Sequence, residues 1–171
     1  MKHITRLAVL ADLDKLPPIF QAGVAYLKAQ GLPQWQDGYS PTRESAAADM
    51  QAGRGYVLEV SGQVSGYASL IPEPDGSPEL TEGAWTHGYG SYAAIHSVAL
   101  DESVRGRGLA AAFLEDIIKA ARALGYRDIR IDTHPGNQIM QRVVVQAGFT
   151  YTGVMHLPIP NGERVAYQRI L

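Results

Sequence analysis

The chain contains no cysteine, which removes disulfides, thiolate nucleophiles and sulfur-ligated zinc together. It also lacks a strong net charge: 15 Lys and Arg stand against 17 Asp and Glu, leaving -2. No global field draws it toward nucleic acid or an anionic membrane, so a bound anion has to be held by local groups. Long apolar runs are missing as well, none approaching the ~18 to 20 residues of a membrane span. The opening Met1-Lys2-His3-Ile4-Thr5-Arg6 has no apolar signal core. A cytoplasmic protein with no nucleic-acid partner, no membrane partner and no metal is the expectation. Internal repeats and low-complexity tails are absent too. What is present is 171 residues with 46% hydrophobic content, enough for one substantial core and too few for two, so a single domain over 1–171 is expected.

The pattern reads as alternating elements. Ile4 to Leu10 suits a first strand, Asp12 suits a helix cap, and Pro17 and Pro18 suit the first turn of a helix whose apolar face is Ile19, Phe20, Val24 and Leu27. Gly31 to Gly38 breaks regularity around Trp35, and a second helix is expected over Thr42 to Gln51. Tyr56–Val60 and Val64–Leu70 read as a hairpin, and Pro72 to Gly90 as a long connection rich in Pro, Gly and acidic residues. Tyr92 to Leu100 resumes as a strand. Leu109, Ala112, Phe113, Ile117, Ala120, Ala121 and Leu124 then trace a helical stripe that Gly125 ends. A strand around Ile129 and Ile131 stops at His134-Pro135-Gly136, Asn137 caps a helix reaching Ala147, and a final hairpin pairs Phe149–Met155 with Arg164–Ile170 across Pro160-Asn161-Gly162. The pattern implies an α/β (α+β) domain with a mixed sheet.

Between the strand ending at Leu100 and the helix starting near Leu109 lies Asp101-Glu102-Ser103-Val104-Arg105-Gly106-Arg107-Gly108. A strand running through glycines into a helix N-terminus gathers free backbone N–H groups at the positive end of the helix dipole, a setting that favours phosphate. Gly106 and Gly108 allow close approach, and Arg105 and Arg107 add charge. An ordinary tight turn with two solvated arginines is the plainer alternative. No Lys-Ser/Thr follows the glycines, so a nucleotide P-loop is excluded. The spacing also fails the dinucleotide pattern G-x-G-x-x-G.

Arg105-x-x-Gly108-x-Ala110 after a Val-x-Leu strand resembles the R/Q-x-x-G-x-G/A signature of the GNAT N-acetyltransferases. Asn137, followed eleven residues later by Gly148-Phe149, resembles that family's next motif. The two cover roughly Ile95 to Phe149. The resemblance implies a GNAT-like mixed, mostly antiparallel central sheet of about 6–7 strands with helices on both faces. It implies acetyl-CoA as co-substrate, its pyrophosphate held by Arg105, Gly106, Arg107, Gly108, Leu109 and Ala110. The strand before the turn is implied to splay from its neighbour, so that Val98, Ala99 and Leu100 hydrogen-bond the pantetheine arm as an added strand would. Asn137 is implied to touch the pantetheine, beside its role as a helix cap. By analogy a homodimer is also implied.

Transfer to an amine requires a neutral nucleophile, and an alkylamine with a pKa near 10.4 is neutral only about once in a few thousand molecules at pH 7. A base is therefore useful. Several family members carry a glutamate nine residues before the first arginine of the turn, where this chain has His96. An imidazole with an ordinary pKa near 6.5 is suited to the task; packing beside Ile95 is the plainer reading. Asp132-Thr133-His134 forms a second polar cluster, with Asp132 and His134 on one side by strand alternation. Either Asp132 and His134 assist His96, or the cluster caps the next helix. The tyrosine that many family members place seven residues after the motif asparagine is Val144 here. Tyr151 or a water is then the candidate acid, unless the thiolate leaves unprotonated.

Acceptor contacts in the family come from loops that here hold Trp35 and Gln36, and Glu82, Trp85 and His87. Tryptophans can wall a pocket and Glu82 can pair with a cationic amine, although each is as readily a packing or solvated residue. A small-molecule primary amine is the expected acceptor. A peptide N-terminus or lysine, and an acyl-CoA-binding sensor without turnover, are the alternatives.

Overall fold

A computed structural model describes residues 2–86 and 91–171. Its elements are β1 (His3–Leu7), a 3-10 turn (Leu10–Lys15), α1 (Leu16–Ala29), α2 (Arg43–Gln51), β2 (Gly55–Val60), β3 (Gln63–Pro72), β4 (Glu82–Gly83), β5 (Tyr92–Leu100), a second 3-10 turn (Glu102–Val104), α3 (Leu109–Ala123), β6 (Asp128–Thr133), α4 (Gln138–Gln146), β7 (Thr150–His156) and β8 (Glu163–Ile170). The strands follow the order β1-β2-β3-β5-β6-β8-β7-β4 in one eight-stranded sheet. The eighth strand arises where the sequence reads as an open connection, because Glu82 and Gly83 pair with Val154 and Gly153. Two residues are too few to leave a period-two pattern. The sheet is mixed and mostly antiparallel, as expected.

The chain divides into two compact units, one of residues 1–70 with Ser97–Phe113, the other of Ile71–His96 with Leu114–Leu171. In the first, β1 and β2 pair antiparallel, as do β2 and β3. Leu16, Ile19 and Phe20 of α1 pack with Ala46, Val57, Tyr67 and Ala99. Phe20 meets the edge of Tyr67 at 5.4 Å between centroids, and the buried Tyr67 hydroxyl donates to Asp49 Oδ2 at 2.7 Å. Pro17 and Pro18 sit in the first turn of α1, where no N–H is required. Asp12 does not cap that helix. It accepts the Val9 N–H and takes both guanidinium nitrogens of Arg6, at 2.7 and 2.9 Å, because the 3-10 turn intervenes.

In the second unit β6 runs parallel to β5 from Tyr92↔Asp128 to Ile95↔Ile131 and antiparallel to β8 along its whole length. Strand alternation puts Asp128, Arg130 and Asp132 on one face and Ile129, Ile131 and Thr133 on the other. The second face carries Tyr167, whose hydroxyl donates to Gln141 of α4 at 3.0 Å. The first face carries Tyr92, Ala94 and His96 from β5. Asn137 caps α4, its Oδ1 accepting the Met140 N–H at 3.1 Å, and Gly125 ends α3 at φ +98.

Candidate active site

In the first unit β5 leads through the turn into α3. Gly106 and Gly108 adopt φ values of +73 and +74, which side-chain-bearing residues resist, and no atom lies within 4 Å of where a Cβ would stand on either. Gly106, Arg107 and Gly108 are exposed, while Val104 and Leu109 are buried and anchor the turn. The first amides of α3 therefore face an open approach at the positive end of the 15-residue helix. Arg105 is held rather than solvated: its guanidinium lies 4.1 Å above the Tyr26 ring and donates to Leu100 O at 3.1 Å. These features fit an anionic group at the turn. Ser97, just ahead of this segment, adopts φ +59 within a strand, a conformation that costs a non-glycine residue about 1–2 kcal/mol.

In the second unit a cleft, open at its mouth, is lined by Asp75, Glu79, Trp85, Tyr92, Arg130 and Asp132 among others. Its organising group is Asp75, whose side chain is 3% exposed. Asp75 lies 3.2 Å from His96 Nε2 and accepts the Tyr92 hydroxyl at 3.0 Å, the Ser77 N–H at 3.0 Å and the Ser77 hydroxyl at 2.8 Å. Burial pushes this carboxyl up, but the His96 and Ser77 hydrogen bonds together outweigh it and hold it well below the ordinary carboxylate range. Burial also raises the Tyr92 phenol. The His96 ring is tied through Nε2 to the Asp75 carboxylate.

Asp132 behaves in the opposite sense. Burial raises its pKa, and the nearby His96 and Arg164 pull it back only in part. Arg130 is clamped between the rings of Trp85 and Tyr92, at 4.2 and 3.9 Å, and paired with Asp128 at 3.0 Å. Its charge is thereby spent within the wall, and the carboxylates of Asp75, Glu79 and Asp132 leave the cleft with acidic character.

The structure thus brings His96 and Asp132 to one site and adds Asp75, which sequence reasoning missed. The trace of Asp75 in the sequence is Asp75-Gly76-Ser77, an Asx-turn pattern; nothing local ties it to a histidine 21 positions on. His134 stands apart from this group. Its Nδ1 accepts the Gly136 N–H at 3.0 Å, and burial, with Arg164, lowers its pKa. No hydrogen bond joins it to Asp132 among the described residues. Tyr151 lies across the sheet, packed edge-on against Tyr167 at 5.9 Å on the α4 side and 54% exposed. Trp85 lines the cleft, whereas Glu82 is exposed on β4 and outside the lining. Trp35, at φ +65, packs its ring on Gly23 and the α1 core, and the Gln36 amide donates to Val24 O and Gln34 O, both at 3.1 Å. Both are engaged inside their own unit. His87 lies outside the described residues.

The model of the Acetyltransferase (GNAT) family matches residues 22–149. Among solved structures, an acetyltransferase of the GNAT family from Streptococcus agalactiae is 30% identical, with a TM-score of 0.86 over 99% of this chain and 95% of its own. The yncA protein of Salmonella typhimurium, solved with its cofactor acetyl-CoA, is 22% identical, with a TM-score of 0.70 over 100% and 95%. The aminoglycoside acetyltransferase AAC(6')-Ib, in complex with coenzyme A, is 20% identical with a TM-score of 0.71 over 99% and 95%. The last two share the fold. No curated protein matches the chain.

Proposed function

Because this chain belongs to the GNAT acetyltransferase family, we propose that it moves an acetyl group from acetyl-CoA to a primary amine of a small molecule, with His96 as general base and Asp75 as its positioning partner. The observation that carries this reading is the bond between His96 and Asp75, a carboxylate that lines an acidic cleft. Acetyl-CoA supplies an activated thioester. Its diphosphate is assigned to the turn Arg105, Gly106, Arg107, Gly108, Leu109 and Ala110, and its amide-bearing arm to Val98, Ala99, Leu100 and Asn137. The parallel ladder's end at Ile95↔Ile131 and the left-handed Ser97 support that assignment for the strand.

The acceptor enters the second unit's cleft as an ammonium ion, attracted by Asp75, Glu79 and Asp132. His96 takes its proton, the neutral nitrogen bonds to the acetyl carbon, and the carbon–sulfur bond breaks. The second proton passes from nitrogen to water as the adduct collapses. Val144 occupies the place of an acid and is fully buried, and Tyr151 lies on the other sheet face. The thiolate, with a conjugate pKa of about 8.5, departs without a protein acid.

Two measurements test the reading. Thermal shift with acetyl-CoA against ATP checks the carrier, and thiol release over an amine panel checks the transfer. His96→Ala should lower kcat about 10²- to 10⁴-fold with acetyl-CoA affinity unchanged. Asp75→Asn should lower it less and displace the pH–rate profile. If acetyl-CoA binds but no amine releases thiol, the chain is a carrier-binding module. Unchanged turnover in His96→Ala at every pH removes His96 from the mechanism.

A further inference from the structure

Trp85 and Thr86 form a stretch of cleft wall with no ladder of its own. Strand β4 ends at Gly83, and among the described residues neither Trp85 nor Thr86 makes a backbone–backbone hydrogen bond. A side chain supplies what a neighbouring strand would. Gln168 of β8, only 5% exposed, accepts the Thr86 N–H through Oε1 at 2.9 Å and donates Nε2–H to Thr86 O at 2.6 Å. The other Nε2 hydrogen goes to Oδ1 of Asp128 at 2.9 Å, and Asp128 holds Arg130 through Nε at 3.3 Å and Nη2 at 3.0 Å. Arg130 in turn lies 4.2 Å from the centre of the Trp85 ring, so the contacts run from Gln168 back to the residue next to Thr86. All of these residues belong to the second unit. The orientation of the Gln168 amide is fixed by its partners, because a reversed amide would set its oxygen against the Thr86 carbonyl and the Asp128 carboxylate. A buried amide engaged in this way is costly to remove, since its partners are left unpaired.

We infer that Gln168 is a positioning residue for acceptor binding: its side-chain amide pins the Thr86 backbone and so holds Trp85 in place as a wall of the cleft. The inference rests on the acceptor reading given above and deepens it. Gln168 does not line the cleft itself, so its effect on an acceptor runs through Trp85 and Arg130, which do. An acceptor that needs the wall in place binds with an apparent affinity scaled by the fraction of molecules in which the wall is docked. Asp75 and His96 lie on other segments, and their bond does not pass through Gln168. The amide therefore governs how well the amine is held and leaves the proton transfer alone.

Thiol release over an amine panel and amide hydrogen exchange, both on the full chain, test this together. Gln168→Met keeps the length of the side chain and loses its hydrogen bonds. It should raise the amine KM about five- to tenfold, the worth of one neutral hydrogen bond, with kcat within about twofold and acetyl-CoA affinity unchanged. The Thr86 amide should lose its protection in the same variant. Gln168→Glu has the same shape but sets an acceptor against Thr86 O and Asp128; it should raise KM at least as far, and it serves as the test where Gln168→Met does not fold. Retained protection at Thr86 or an unchanged amine KM overturns the inference. So does a KM rise matched by losses of kcat and acetyl-CoA affinity, or loss of the fold in both variants, either of which shows a merely structural role. If the wild type releases thiol with no amine, the acceptor reading fails and the inference with it, whatever the Thr86 amide shows.

Discussion

Asp75 and Asp132 share a cleft yet lean in opposite directions. The folded-state pKa of Asp75 lies below its unfolded value. Its contribution to stability is therefore present above the ordinary carboxylate range and lost as pH falls through the folded value. Asp75→Asn should cost about 1–3 kcal/mol near pH 7, a penalty that shrinks as the medium is acidified. Asp132 has a raised pKa, so its favourable contribution exists at low pH and disappears as pH rises through the folded value. Asp132→Asn should accordingly raise the thermal midpoint at pH 7.5, less at pH 4, while turnover falls. Scanning calorimetry of both variants across pH checks the two signs together. A carboxylate retained where its charge destabilises the fold is what a proton-handling or ammonium-binding site requires.

At the scale of elements, the short β4 deserves its own test because it carries the chain to Trp85 on the cleft wall. Gly83 has φ +80, and a Cβ there would lie 2.1 Å from Thr152 O. Gly83→Ala cannot keep both this backbone and the pairing with β7, and should destabilise by about 1–3 kcal/mol. Hydrogen exchange should report loss of protection at the Thr81 amide, which donates to Val154 O at 2.7 Å. The amine KM should rise severalfold with acetyl-CoA affinity unchanged; intact protection at Thr81 would show that the strand tolerates the methyl group. Gly23 holds a similar position on α1, with a Cβ placed 3.0 Å from the Trp35 ring. The close approach of Trp35 to the helix explains why that tryptophan is a packing residue.

For the molecule as a whole, three carboxylates, Asp12, Asp75 and Asp101, have lowered pKa values through hydrogen bonds and ion pairing. Each stabilises the fold above the usual carboxylate range and ceases to do so as pH drops through its folded value. The part of the stability that these three supply should thus fall steeply below about pH 4, as measured by urea midpoints at successive pH values. Acetyl-CoA at about 100 times its Kd should add about 2.7 kcal/mol, a midpoint rise of roughly 5 to 11 °C for a chain of this size. ATP at the same concentration should give no comparable shift.

What the sequence determined by itself is short-range. The glycine turn, the Asn137 cap, the Gly125 stop and the Tyr92–Leu100 strand depend on backbone conformation and hydrogen bonds within a few residues, so residue type and spacing suffice to read them. The site depended on long-range pairing. Tyr151 and Met155 have the same parity along β7 and would share a face, but a register shift between Tyr151 and Gly153 sends Met155 to the cleft and Tyr151 to the α4 side. The bond from Asp75 to His96 and the hold of Gln168 on Thr86 likewise exist only once segments distant in sequence lie side by side. Local preferences specify each strand, and the tertiary structure decides which side chains of different strands meet, because register is set by packing across the whole sheet.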